Sequence, residues 1–503
     1  MGVLNMDNGE IMNVYFSDYF NVNPQLLERY GAFNISLIND LPLFVDPFLL
    51  FESKKPEYQK LHKNILNYVA FLRDMSRGMS INDGLLDSWF IFSEVKQNWL
   101  GYSLCGNEGS GLGRKFALAL KNNLNTIFSD FGNEKITKDS HLEKLCIIES
   151  GVGRDNISDF TVNLIKEFLC EYTQNFVRKY INLSMRKKVS VKKVAFDKNT
   201  KRWKPEVFDL PFINNDFILL TPKDILTKDE NWINNRDLFE NYSEIASSIP
   251  NEQLRSEIDL YFRQNLPPPT KKKKSISKSE YYNAVKSVIF KYPEILNYYI
   301  KYKEDNGEKA ISISKEDVKF VENVFIENVS SFIKILQSNS AFYNISYDTY
   351  QESLERVKYL KQVIENNDGY KLFYVKGEPI KREKDLQIMF RLTWFPTTSD
   401  VNSEVNNGRG PVDFKISRGN KDKTLVEFKL ASNTKLKQNL QHQLEIYQKA
   451  NQTDKGIKVI LFFSSEEESH VYQVLNDLKL QNKENIILID ARRDNKKSAS
   501  TVK

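Results

Sequence analysis

Cysteine is scarce in this chain, and the scarcity is the first constraint on what it does. Only three occur in 503 residues, Cys105, Cys146 and Cys170, with no CxxC spacing. An odd, sparse set builds no disulfide framework and suits a reducing compartment. Histidine is equally thin: His62, His141, His442 and His470 are scattered, and none stands at zinc-ligand spacing with a cysteine. No uninterrupted apolar run approaches the roughly 18 residues of a membrane-spanning helix. The opening MGVLNMDNGE lacks the basic and apolar regions of a signal peptide, and Met6 stands where a myristoylation signal has Ser or Thr. No internal repeat of fixed period is present. These absences point to a soluble, cytoplasmic protein with no membrane partner.

What is present is enough apolar residue for real cores: 41% hydrophobic and 12% aromatic. The length allows about three domains at roughly 150 residues each. Seventy-two basic and 66 acidic residues leave a formal charge of +6, compatible with a polyanionic partner but no proof of one. The clearest punctuation is LPPPTKKKKSISKSE from Leu266, where three prolines block regular structure and Lys271 to Lys274 repel one another. It reads as a linker over 267–277.

Before it, residues 1–266 mix apolar runs such as LPLFVDPFLLF with helical patterns such as HKNILNYVAFLRDM and FTVNLIKEFLCEYTQNFVRKYI, an α+β region. DFILLTPKDIL reads there as a buried strand stopped by Pro222. GNEGSGLGRK, from Gly106, lacks the GK[ST] of a phosphate loop and reads as a loop before a helix. In GVGRDNISDFT, Asp159 is placed to cap a helix running on from Phe160. Residues 278–369 are mostly helical, with apolar positions at i, i+3 and i+4. Tyr281, Tyr282, Tyr298, Tyr299 and Tyr302 are interleaved there with lysines, and core packing is their better reading. Residues 370–495 change character to an α-β-β-β-α-β-α-β order, and 496–503 form a lysine-rich tail.

The chemistry gathers in GRGPVDFKIS, six loop-like residues RGNKDK, and TLVEFKLA. Strand alternation puts Asp413, Lys415 and Ser417 on one face of the first piece, and Glu427 and Lys429 on one face of the second. If the two pair, the register that matches Val412, Phe414 and Ile416 with Val426, Phe428 and Leu430 also unites Asp413, Glu427 and Lys429. A one-residue slip would bury the charges. Two carboxylates that close need a positive neighbour. A hard divalent cation, Mg²⁺ or Mn²⁺, suits oxygen ligands, polarises a phosphoryl oxygen and acidifies water. An exposed hairpin with cross-strand salt bridges is the ordinary alternative.

PVD followed after 13 residues by EFK resembles the signature of the PD-(D/E)XK nuclease superfamily, whose αβββαβ restriction-endonuclease-like core matches the order of elements. The resemblance implies that Asp413 and Glu427 ligate metal with the Phe428 carbonyl, and that Lys429 is catalytic. Gly408-Arg409-Gly410 resembles the glycine-containing turn of Holliday-junction-resolvase-like members. Gln443 and Tyr447, four apart on LKQNLQHQLEIYQKAN, resemble the QxxxY element of RecB-like nucleases and join the catalytic set. Gln443 stands at the edge of an apolar stripe of Leu436, Leu440, Leu444 and Tyr447, whereas His442 points to the surface. Glu383, on the preceding helix, resembles the acidic residue some members add to the metal site; Glu404, on the first strand, competes for that role. Arg409, Lys415, Lys435 and Lys437 are the expected nucleic-acid contacts.

The implied activity is Mg²⁺-dependent hydrolysis of DNA, double-stranded by preference. The setting by analogy is prokaryotic antiphage defence or restriction, with residues 1–266 as a sensing or regulatory region, and with a phage or protein trigger and homo-oligomers as expected partners. A silent binding or sensor protein that keeps the fold, and a nuclease acting on RNA, are the alternatives.

Overall fold

The computed structural model describes residues 14–101, 112–124, 131, 134–148, 152–267, 276–337, 348–366, 369–375, 377–394, 399–406, 411–419, 421–441 and 453–496. Its N-terminal part is built around long amphipathic helices. In α1 (Pro56–Gly78), Pro56 occupies the first turn, and Leu61, Ile65, Leu66, Val69 and Leu72 recur on one buried stripe. The pattern read as one helix from Phe160 is two: α2 (Arg154–Leu164) and α3 (Lys166–Tyr180). Asp159 therefore lies inside α2 and caps nothing; the N-cap is Gly153. Burial and the nearby Glu94 raise the Asp159 carboxyl to about 7.

Two 12-residue strands, β1 (Arg186–Asp197) and β2 (Arg202–Ile213), form an antiparallel ribbon that packs on α3. DFILLTPKDIL is buried, but the strand expected to run to Pro222 is only Asp216–Phe217, paired antiparallel with Phe212–Ile213. Ile218, Leu219 and Leu220 are fully buried, yet their N–H groups donate to Pro211 O, Gln97 O and Thr173 Oγ1 on three different segments. Tertiary partners satisfy that backbone in place of a ladder.

The middle helices are α4 (Glu252–Gln264), α5 (Lys278–Lys291), α6 (Ile295–Asp305) and α7 (Gly307–Val321). Ile258 of α4 shares one apolar core with Val285, Val288 and Ile289 of α5 and with Tyr299 of α6. The proline-lysine segment between α4 and α5 thus joins helices of one core; its residues 268–275 lie outside the described residues. Tyr299 is fully buried and donates to Asn234 O and Asp237 Oδ2, while Tyr282 stacks on Phe239 at 4.8 Å. The tyrosines pack, as read.

The C-terminal part holds a five-stranded sheet in the order β7-β6-β5-β4-β3, where β3 is Asp400–Asn406, β4 Pro411–Arg418, β5 Asp422–Leu430, β6 Gly456–Phe462 and β7 Ile486–Asp490. β3, β4 and β5 pair antiparallel; β5, β6 and β7 run parallel. Helix α8 (Thr349–Asn366) packs against β5, β6 and β7, so the layer covering this sheet begins upstream of residue 370. The other face of β6 presents Ile460 and Phe462 to Leu436 and Leu440 and to α10 (Ser465–Asp477). Helices on both faces explain why Thr424 to Leu430 are buried without interruption.

The chain is therefore a mixed α/β protein. Among the described residues, no helix is long and apolar enough to cross a membrane.

Candidate active site on the C-terminal sheet

Helix α9 (Glu383–Thr393) carries one wall of the site. Glu383, Gln387 and Phe390 recur at i, i+4 and i+7, so they share one side of the helix. Phe390 stacks on Phe428 of β5 at 4.2 Å, which sets the helix on the sheet. The start of α9 is clamped to the N-terminal part: buried Lys228 lies 3.3 Å from buried Asp385, and Arg382 lies 2.5 Å from Asp229.

Strands β4 and β5 carry the rest. Their register pairs Val426 with Phe414 and Asp422 with Arg418; just past it, Asp413 Oδ2 accepts from Phe428 N, the residue after Glu427. The connection is shorter than the six residues expected, because Arg418, Asp422 and Lys423 belong to the strands. These polar residues serve tertiary contacts: Arg418 reaches Glu352 of α8 at 2.7 Å, and Asp422 accepts from Thr349 N at 2.9 Å. Gly419, at φ +65°, makes the turn, a conformation glycine adopts without steric cost.

The three side chains converge. Lys429 Nζ lies 3.0 Å from Glu427 Oε1, 3.3 Å from Glu383 Oε2 and 3.7 Å from Asp413 Oδ2. It also donates to the Phe428 carbonyl at 3.2 Å. Asp413 accepts from Phe428 N at 2.6 Å through Oδ2, and from Gln387 Nε2 at 2.6 Å through Oδ1. Glu383 accepts from Asn433 Nδ2 at 2.6 Å. All three residues of the signature are more than nine-tenths buried: Asp413 7%, Glu427 5% and Lys429 8% exposed. Among the described residues, Glu427 Oε2 is buried with no hydrogen-bond partner. A cavity of about 10 Å³, roughly one water in size, is lined by Glu427, Lys429, Asn439, Leu440, Lys458, Val459 and Ile460.

Electrostatics follow from that geometry. Burial, then the charge of Glu427, holds the Asp413 carboxyl well above the usual carboxylate range. Burial likewise raises Glu427, against the pull of Lys429. Burial disfavours the Lys429 ammonium, but Asp413, Glu427 and Glu383 outweigh it and raise its pKa, so it stays charged at every physiological pH. With all three carboxyls ionised, as metal ligation requires, one ammonium leaves the cluster short by two positive charges. Among the described residues, no three His, Cys, Asp or Glu side chains are set to hold an ion as they stand; the ammonium lies among the carboxylates instead. The donor set nonetheless fits a hard divalent cation: oxygen ligands, a charge deficit of two and an unpartnered Glu427 oxygen.

The remaining expected residues are placed as follows. Lys415 is half-buried on β4, opposite Leu425. Lys435 and Lys437 are exposed, and Lys437 pairs with Asp477 of α10 at 2.5 Å. Arg409, His442, Gln443 and Tyr447 lie outside the described residues, and Glu404 is described only through the backbone of β3. Sequence reasoning missed Gln387 and Asn433, which orient Asp413 and Glu383. For Gln387 the signal was present: an amide between buried Leu386 and Ile388, one helical turn from Glu383.

Two family models match the chain: a domain of unknown function (DUF8370) over residues 21–234, and a domain of unknown function (DUF8371) over residues 349–465. No curated protein and no solved structure matches it. The second model takes in every residue of the cluster, from Glu383 to Asn439.

Proposed function

We propose that the chain is a divalent-metal-dependent nuclease that hydrolyses DNA phosphodiester bonds, and that its C-terminal sheet is the αβββαβ core of the PD-(D/E)XK superfamily it resembles. One observation carries the reading: Asp413, Glu427 and Glu383 crowd a buried site that is two positive charges short once all three are ionised, and a Glu427 oxygen has no partner among the described residues. Proteins rarely leave such groups unsatisfied away from function.

Asp413 and Glu427 would hold Mg²⁺ or Mn²⁺ together with the Phe428 carbonyl, Glu383 standing by. Such an ion supplies Lewis acidity at a phosphoryl oxygen and a water of lowered pKa. The chain's own residues do the positioning. Gln387 and Phe428 N fix both oxygens of Asp413, and Asn433 fixes Glu383. Lys429, held as an ammonium by its three acidic neighbours, donates a proton-bearing contact to the negative charge that grows on the phosphate as water adds and the ester oxygen leaves. A role as general base does not suit a lysine whose pKa is raised. The defence setting rests on analogy alone.

The same contacts favour a second reading. Lys429 already neutralises part of the acidic cluster, as in a protein that keeps the fold for binding only. Nicking of supercoiled plasmid with Mg²⁺ separates the two. Glu427→Gln and Asp413→Asn each lower the rate about 10²-fold or more. Undiminished cleavage by both variants, from clean protein, removes the site assignment. Parallel digestion of RNA decides the polymer.

A further inference from the structure

The ribbon β1–β2 concentrates the positive charge of the whole chain. Its residues 186–213 hold nine basic side chains (seven lysines, with Arg186 and Arg202) against three acids, Asp197, Glu206 and Asp209, a net of +6. The entire chain carries +6, so the other residues together balance. The basic balance of this protein is a local property.

Few of these charges are neutralised. Arg186 pairs with Asp209 at 3.3 Å, and Lys204 pairs with Asp197. Lys193, at φ +50° in the bulge between Val191 and Ala195, donates to the carbonyls of Asp87, Ser88 and Ile91 and ties the ribbon to the body. The other six, Lys187, Lys188, Lys192, Lys198, Lys201 and Arg202, are exposed, and none has a carboxylate partner among the described residues.

The ribbon is also anchored. Phe196 and Trp203 pair across the strands 5.2 Å apart and pack on Tyr68, and Trp203 Nε1 donates to Tyr68 Oη at 3.1 Å. Trp89 Nε1 donates to Lys201 O at 3.0 Å. An aromatic face holds the ribbon in place while lysines line its outer edge and tip. Keeping like charges this close costs free energy through self-repulsion, which a polyanion relieves.

We propose that this ribbon is a docking surface for duplex DNA. Strands of 12 residues reach about 40 Å at roughly 3.3 Å per residue, a linear array matched to a linear polyanion and not to a compact anion. Beyond the short strand Asp216–Phe217 at its base, the sheet is two strands wide, narrow enough for the major groove of B-form DNA, while that of A-form RNA is too narrow to enter. The inference stands apart from the hydrolysis reading, since binding is measured without turnover.

The test uses the full chain without metal and a fluorescein-labelled DNA duplex, with anisotropy followed from about 50 to 200 mM salt. Replacing Lys188, Lys192, Lys198 and Arg202 by Ala weakens binding at least tenfold and flattens the log–log salt slope by roughly 1 per contact, about 4 in all. Single Lys188→Ala and Lys198→Ala variants, each flattening it by about 1, decide the matter if the fourfold variant does not fold. An unchanged slope overturns the proposal. So does equal loss on duplex RNA, or loss only on anionic phospholipid vesicles. Ribbon-dependent binding by a chain that never cuts DNA leaves this inference intact and removes the nuclease reading; cleavage with ribbon-independent binding does the reverse.

Discussion

Lys429→Met tests the charge reading of the site most directly, because it removes the ammonium and keeps an unbranched stem of similar length. Each of the three contacts, at 3.0, 3.3 and 3.7 Å, carries about 5 kcal/mol of gross attraction at an effective dielectric of about 20. Desolvation of the buried ions cancels most of that sum, and breaking a buried pair costs a net of about 3–5 kcal/mol. The metal-free variant is therefore expected to lose about that much stability near neutral pH. The loss shrinks as pH falls, because the raised carboxyls of Asp413 and Glu427 then hold protons more fully. A divalent cation then does what the ammonium did. At about 100 times its Kd, Mg²⁺ restores about 2.7 kcal/mol, and the gain is larger in the variant than in the parent. Urea unfolding followed by circular dichroism, with and without Mg²⁺ or Mn²⁺, reads both effects. A variant as stable as its parent, or one that no divalent cation stabilises, refutes the reasoning.

Asp413→Asn works in the opposite direction. The raised carboxyl of Asp413 stabilises the metal-free fold fully below the unfolded carboxyl range, about 3.9, and that stability is lost as pH rises through the folded value. Asparagine carries no such dependence, and the Gln387 amide can turn over to meet it, so the metal-free variant melts higher than its parent near neutral pH; a lower melting temperature contradicts this. Gln387→Ala frees one oxygen of Asp413 and is expected to weaken Mn²⁺ binding about 10–100-fold, with cleavage recovering at higher metal concentration. Titration calorimetry gives the affinity, and unchanged binding argues against the positioning role. Because burial raises both Asp413 and Glu427, metal binding must expel protons, and affinity falls as pH falls. Heats that do not vary with the ionisation enthalpy of the buffer count against that coupling.

Much of the site was legible because strand alternation is a rigid rule. Once Val412, Phe414 and Ile416 are assigned to the core, Asp413 has one face left, and the same holds for Glu427 and Lys429. The length of the turn was not legible, because Arg418, Asp422 and Lys423 look like loop residues until Glu352 and Thr349 supply partners from α8. The same blindness carried the strand of DFILLTPKDIL past Phe217, where it ends: apolar runs announce burial, not which backbone groups their amides will meet. Asp159 was misplaced because a helix start depends on φ and ψ upstream of it, where Gly153 begins the turn. Gln387 was readable but unread, and Asn433 gave no local signal at all.

By itself the sequence determined the pairing of two charged strands, the helical periodicities, the lysine-rich composition of the ribbon and the scarcity of thiols, since each depends only on neighbours along the chain. Tertiary structure alone decided that α9 stands where Glu383 and Gln387 reach β4 and β5, and that one ammonium meets three carboxylates in a buried place. It also decided that β1 and β2 gather nine basic side chains onto one anchored ribbon. Charge clusters of this kind depend on distance through space, and residues 46 positions apart, such as Glu383 and Lys429, come within 3.3 Å only after the core has closed.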